Sequence, residues 1–209
     1  MEPITVERVY SRLAMDYRHS SITPQDECEK IILILKRLLK FNTEPGLNVI
    51  NLLEETVRMI SSYLEINEVS ILILDQKDKK YRYLVFYGLT KKVIQAHKEI
   101  EYTYDEVIEY EKKNMKKVSD TTYICFAEKW PKEEIKFFNL HIGKKRAAED
   151  DYVEGDFLDS HIYGSNGQLL GYIEYTGTKK NKMPSAKTIL TIELMASIIG
   201  ALLTNTFAR

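Results

Sequence analysis

The side chains best suited to chemistry in this 209-residue chain lie in one hairpin near its C-terminal end. Asn166-Gly167 separates two alternating segments, and both residues tolerate the positive φ that a two-residue type I′ turn requires. That turn fixes which residues face each other, because side chains alternate between the two sides of a strand. The predicted pairs on one side are Asp159 with Glu174, His161 with Tyr172, Tyr163 with Leu170 and Phe157 with Thr176.

This polar side of the hairpin has two interpretations. Antiparallel sheets commonly have one face in solvent, so Asp159, His161 and Glu174 could form a hydrated ion-pair cluster. The same groups could instead form the polar wall of a pocket. Opposed carboxyls raise one another's pKa and can serve acid–base chemistry, although the simpler expectation is a pair neutralised by His161 or a lysine. We therefore predict no catalytic residue.

A second candidate group lies at the start of the long segment before the hairpin. Cys125 is close in sequence to Tyr123 and Trp130, and His161 or His141 could add an imidazole ligand, which together would suit haem. A lone cysteine is also commonly a small buried hydrophobic residue. The chain contains no Cys-x-x-Cys-His motif, so a haem-based sensor is the alternative hypothesis and not the leading one.

Composition excludes several classes of protein. There are 30 basic and 31 acidic residues, so nothing favours nucleic-acid binding. Cys28 and Cys125 are far apart and form neither a metal motif nor a disulfide framework, which fits a reducing cytoplasm. The N-terminus has no apolar signal segment, and the most apolar run, Ile189 to Leu203, is too short and polar for a membrane span.

Apolar periodicity and turn residues predict the elements that position these groups. We expect Tyr81, Tyr83, Val85 and Tyr87 to share one face of their strand. Residues 121–154 are expected to be irregular and to act as a lid or be disordered. The predicted elements are helices from Thr23-Pro24 to Phe41, Leu47 to Leu64 and Thr103 to about Met115, strands Val69–Leu74 and Tyr81–Tyr87, short strands near Glu99 to Tyr102 and Lys117 to Asp120, and a long C-terminal helix.

The C-terminal helix is apolar around most of its circumference. Ile189, Ile192, Ala196, Ile199 and Leu203 form one stripe, and further apolar residues cover much of the rest. Such a helix needs two partners. We expect the sheet to be one and a second copy of the chain to be the other, giving a homodimer through terminal helices. The alternative is a monomer in which the helix at Ile31 to Leu39 takes that place.

Four segments together resemble the GAF domain family, in particular the GAF domains of prokaryotic, including archaeal, multi-domain sensor histidine kinases. They are LLEETVRMISSYLEINEVSILILD (52–75), KKVSDTTYI (116–124), GDFLDSHIYGSNGQLLGYIEYTG (155–177) and the helix after PSAK (from 184). In that subgroup the position of His161 is commonly proline and that of Asp159 commonly apolar. The chain departs from the pattern at both positions.

The resemblance implies an α+β domain at residues 45–209, preceded by a helical extension at 1–44. It implies an antiparallel sheet of about five to six strands, with N- and C-terminal helices on one face and loops or a short helix on the other. The implied function is a non-enzymatic cytoplasmic sensor that binds a small molecule and signals through a dimer to an output domain or kinase. The candidate ligand-binding residues are Tyr123, Cys125, Trp130, Asp159, His161, Tyr172 and Glu174. A protein-interaction module whose vestigial pocket is filled by Tyr123, Trp130 and Phe137 is a third hypothesis.

Overall fold

A computed structural model describes residues 6–22, 24, 26–41, 48–130 and 146–207. The described helices are α1 (Val6–Ile22), α2 (Glu27–Lys40), α3 (Val49–Tyr63), α4 (Lys91–Lys98), α5 (Tyr104–Asn114) and α6 (Ala186–Phe207). The described strands are β1 (Val69–Leu74), β2 (Tyr81–Tyr87), β3 (Glu101–Tyr102), β4 (Met115–Lys117), β5 (Thr122–Cys125), β6 (Phe157–Tyr163) and β7 (Leu169–Tyr175).

These strands form one antiparallel sheet in the order β3-β2-β1-β7-β6-β5-β4. The predicted α+β class and GAF-like layering are confirmed. The described sheet has seven strands, more than the five to six expected, because very short strands extend both edges and β5 forms within the stretch expected to be irregular. β1 is central and buried at all six positions, as its uninterrupted apolar sequence predicts.

One face of the sheet is covered by α2, α3 and α6. Their apolar stripes and the facing strand residues form the largest core cluster, which includes Ile34, Leu53, Ile60, Ile71, Ile173, Ile192 and Ile199. α6 approaches β6 most closely at Gly200, where a Cβ would lie 2.0 Å from the backbone oxygen of Tyr163. A side chain at this position would therefore push the helix away from the sheet.

Capping residues explain where the helices begin. The capping box predicted for α5 is confirmed, since Thr103 Oγ accepts from the Glu106 amide and the Glu106 carboxylate accepts from the Thr103 amide. The predicted start of α2 at Pro24 is wrong. Asp26 caps α2 instead, because its carboxylate accepts the Glu29 amide proton at 2.9 Å. α1 and α4 were not predicted.

Two β-bulges change the expected faces. At the first, Ile71 pairs with Val85 but Leu72 pairs with Tyr83, so Tyr83 and Val85 lie on opposite faces of the sheet. The prediction that they share a face is therefore wrong, because one extra residue reverses the alternation beyond it.

The second bulge lies beside the hairpin turn. Asp159 pairs with Glu174 and His161 with Tyr172 as predicted, but Tyr163 pairs with Leu169 and not with Leu170. The predicted type I′ turn is also wrong, because only Gly167 of the Asn-Gly pair has positive φ, at 78°. The amide of Gly167 donates to the Gly164 carbonyl, which closes a three-residue loop that ends in a glycine bulge.

α6 contains the described segment whose length and composition would suffice to cross a membrane, Ala186–Asn205. Its buried side packs on β6 and on α2, with Ile192, Met195 and Ile199 shielded completely from solvent. The helix therefore belongs to the core of a folded domain.

Candidate functional site

A cavity of about 1110 Å³ lies on the sheet face opposite α2, α3 and α6. Its floor is formed by side chains of β1, β2, β6 and β7. Its sides are α4, α5 and the segment at 151–156. Among the candidate residues, Trp130, Asp159, Tyr172 and Glu174 line this cavity. Asp159, Tyr172 and Glu174 on the hairpin's polar side thus border this cavity, while ligand binding by them stays a prediction.

Asp159 is the most unusual group in the cavity wall. It is only 5% exposed, and its Oδ1 atom accepts no hydrogen bond. Burial, followed by repulsion from Glu174 and Glu111, raises the pKa of its carboxyl well above the ordinary value. Folding therefore favours the protonated form of Asp159, whose Oδ1 atom still has no hydrogen-bond donor.

Glu174, directly opposite on β7, has the reverse environment. Its carboxylate accepts the hydroxyl proton of Tyr83 at 2.9 Å and that of Ser70 at 3.1 Å. Nε2 of His97 lies 3.9 Å from the same carboxylate. Nδ1 of His97 must carry a proton, since it lies 2.8 Å from the Val93 carbonyl, which can only accept. Two neighbouring carboxyls thus differ in their donors: Glu174 has two hydroxyl donors, and Oδ1 of Asp159 has none.

His161 does not line the cavity. Its Nε2 lies 2.6 Å from Oε1 of Glu111, and its Nδ1 lies 2.9 Å from the Tyr163 hydroxyl. The ring is 3% exposed and stacks on Tyr123 at a centroid distance of 4.9 Å. His161 and Glu111 therefore form a buried pair that joins β6 to α5 behind the cavity wall.

The residues considered for haem do not fit that group. Both ring nitrogens of His161 are engaged, so neither is available to ligate iron. Cys125 is completely buried in a cluster with Met115 and Phe157, and neither it nor Tyr123 lines the cavity. His141 and Phe137 lie outside the described residues.

Two described residues of the expected lid, 121–154, are tied to the segment at 151–156. Trp130 donates its indole proton to the Gly155 carbonyl at 2.5 Å. Arg146 forms a two-pronged ion pair with the fully buried carboxylate of Asp156, at 2.5 and 2.8 Å. Asp156 also accepts amide protons from Ala127 and Val153. These bonds hold one wall of the cavity in place.

Three further cavity residues were missed by sequence reasoning: Glu68, Tyr83 and His97. Burial raises the pKa of the Glu68 carboxyl, and repulsion from Glu154 and then Glu174 adds to this against an opposing effect of His97. Burial likewise raises the pKa of the Tyr83 phenol far above its usual value. The alternation of side chains along β2 would have predicted that Tyr83 faces the cavity only if the bulge in that strand had been recognised.

No family model matches the sequence, and no curated protein does. Many solved structures share the fold. The GAF domain of an Acinetobacter phosphoenolpyruvate-protein phosphotransferase has 13% identity and a TM-score of 0.54, and the match covers 87% of this chain and 94% of that one. The GAF domain of a putative sensor histidine kinase from Pseudomonas syringae pv. tomato has 11% identity and a TM-score of 0.53, with 92% and 94% covered.

A third similar structure is an enzyme. Free methionine-R-sulfoxide reductase from Neisseria meningitidis, in complex with its substrate, has 12% identity and a TM-score of 0.52, and the match covers 88% of this chain and 92% of that one. At these identities the shared property is the fold.

Proposed function

We propose that this chain, which has the fold of GAF domains, is a cytoplasmic sensory domain that binds a small molecule in the cavity beside Asp159. The observation that carries the proposal is a cavity of about 1110 Å³ whose wall contains a buried carboxyl oxygen without a donor. A buried polar atom without a partner costs stability, so its retention beside a cavity favours a ligand that completes it.

The role is regulatory and not enzymatic. In the described part of the wall, the hydroxyls of Ser70 and Tyr83 donate to the Glu174 carboxylate, and we propose that these bonds fix the carboxylate in place and do not activate a nucleophile. Cys125, the cysteine nearest this region, is buried outside the cavity wall. A single such thiol does not support the several-cysteine chemistry of methionine sulfoxide reduction.

A route for the signal runs through the sheet to α6. Glu193 on α6 accepts hydroxyl protons from Thr121 at 3.0 Å, from Thr122 at 2.7 Å and from Ser119. Thr122 in turn bonds Ser160 on β6, the neighbour of Asp159, at 2.8 Å. A change of β6 on ligand binding would therefore move α6, which we propose passes the change to a second copy or an output domain.

Native mass spectrometry of the full chain tests ligand binding. We expect a bound small molecule in the purified protein, or a stabilising hit in a metabolite library measured by thermal shift. Ala96→Phe places an aromatic ring in the cavity wall from α4. This variant should neither retain the small molecule nor be stabilised by it. Gln95→Phe is the matched control, because it adds the same ring to the solvent side of that helix.

Either of two results would reject the cavity as the binding site. One is a ligand that Ala96→Phe retains as well as the natural chain does. The other is the absence of any retained or stabilising compound.

A further inference from the structure

Resting on the proposed function, we infer that the ligand is a small organic cation whose ammonium or amidinium group lies against Asp159 and Glu174. These two carboxyls face each other across β6 and β7 at the floor of the cavity. Such a group would supply the donor that Oδ1 of Asp159 lacks and would sit between both acids.

The charge of the whole cavity wall supports this choice. It contains eight carboxyl side chains, against Lys92 and His97 as the basic ones. Three of the eight form a hydrogen bond with a basic side chain: Glu111 with His161, Asp151 with Lys182, and Asp156 with Arg146. An anionic ligand would enter a surface with a marked acidic excess, whereas a cation is attracted to it.

The aromatic side chains favour an organic cation over a metal ion. Tyr83, Tyr172 and Trp130 all contribute to the wall. Aromatic faces attract alkylammonium and amidinium groups and also cover their carbon parts. In the part of the chain that the structure describes, no three His, Cys, Asp or Glu side chains are arranged to hold a metal.

Binding should release a proton. The titratable groups around Asp159 are Glu174 on β7, Glu111 on α5 and four phenols, and none of them supplies a positive charge. The phenols are those of Tyr83, Tyr123, Tyr172 and Tyr175. His161 is already paired with Glu111. An arriving cation is the missing charge, so Asp159 should ionise when it binds and give its proton to the solvent.

Three probes of one shape and different charge test the inference on the full chain: benzylamine, benzyl alcohol and benzoate. Titration calorimetry should show benzylamine binding about tenfold or more tightly than the other two, since a charged hydrogen bond is worth roughly that ratio. Asp159→Asn should weaken the binding of benzylamine by about the same factor. Glu109→Gln, an exposed carboxyl on α5 outside the cavity wall, should leave it unchanged.

Proton release gives an independent readout. The binding heat of benzylamine should differ between phosphate and Tris buffers near neutral pH, and Asp159→Asn should remove that difference. Equal or tighter binding of benzoate or benzyl alcohol would overturn the inference. So would unchanged benzylamine binding in Asp159→Asn.

The metabolite library separates this inference from the proposed function. Hits that Ala96→Phe abolishes should be cations at neutral pH. If those hits are neutral or anionic, the proposed sensor role stands and the inference that the ligand is a cation is wrong. If no compound of any charge binds, the proposed function itself fails.

Discussion

At the scale of single residues, the cavity depends on two neighbouring carboxyls in unlike environments. Glu174 receives hydroxyl donors from Tyr83 and Ser70, and Oδ1 of Asp159 receives none. The difference makes Asp159 the group that a ligand must complete. Because burial raises the pKa of its carboxyl, Asp159 is also the group whose ionisation should oppose folding.

Asp159 should make the stability of the protein depend on pH. A carboxyl whose pKa is raised by folding contributes its full stability below its unfolded pKa, about 3.9, and loses it as the pH rises through the folded pKa. Asp159→Asn cannot ionise, so it should match the natural chain near pH 4. Above that pH it should become the more stable protein, and the difference should grow as the pH rises towards the folded pKa of Asp159.

Urea unfolding at a series of pH values measures this difference. Glu109→Gln, which removes an exposed carboxyl on α5, is the matched control for the loss of one acidic group. A stability difference for Asp159→Asn that does not change with pH would contradict the raised pKa of Asp159.

At the scale of elements, the segment at 151–156 is the wall that sequence patterns describe least well. It has no regular structure that would be visible as periodicity, yet Trp130 and Arg146 both bind to it. The buried pair of Arg146 and Asp156 is its central interaction. Breaking that ion pair should therefore destabilise this wall.

Asp156→Asn should lower the free energy of unfolding by about 3 kcal/mol, because it leaves the Arg146 guanidinium part-buried without its carboxylate. It also replaces an acceptor of the Ala127 and Val153 amides. Urea denaturation measures the loss. Glu128→Gln removes the other, exposed partner of Arg146 and should cost less than about 1 kcal/mol. Equal losses of unfolding free energy in the two variants would contradict the conclusion that Asp156 is the main partner of Arg146.

At the scale of the whole molecule, α6 has one buried side and one exposed apolar side. Leu190 is 63% exposed and Leu194 42% exposed, and Ser197 and Ala201 continue their spacing on the exposed surface. α2 packs against α6, as the monomer alternative expected, and it exposes Ile32 and Leu39. The exposed residues of α6 recur every three or four positions, which is the spacing at which one helix contacts another. These observations support the proposed homodimer.

Sedimentation velocity at micromolar concentration should give twice the 24.4 kDa mass of one chain. Leu190→Glu combined with Leu194→Glu should convert the protein to monomers, because charges would replace the apolar side chains of the proposed interface. Leu84→Glu, at an exposed leucine on β2, should leave the dimer intact. A natural chain that sediments as a monomer would refute this arrangement.

The sequence by itself determined the elements and their broad layering. The apolar run of β1 and the capping box of α5 follow from local rules of burial and capping. The pairing of Asp159 with Glu174 was predicted from a type I′ turn that does not form, and it is correct because the bulge at Leu170 offsets the three-residue loop. The choice of terminal helices for one face follows from their apolar stripes. The boundary between extension and domain at residues 44 and 45 stays a prediction.

Only the tertiary structure decided which side chains reach the cavity. The bulge in β2 turned Tyr83 towards it, and the packing of α5 withdrew His161 from it by supplying Glu111 as a partner. Neither effect has a local signature, since one extra residue reverses a face and a buried partner comes from a distant segment. The sequence thus located the polar hairpin, while long-range packing left Asp159 as its one cavity group with an acceptor atom unpaired.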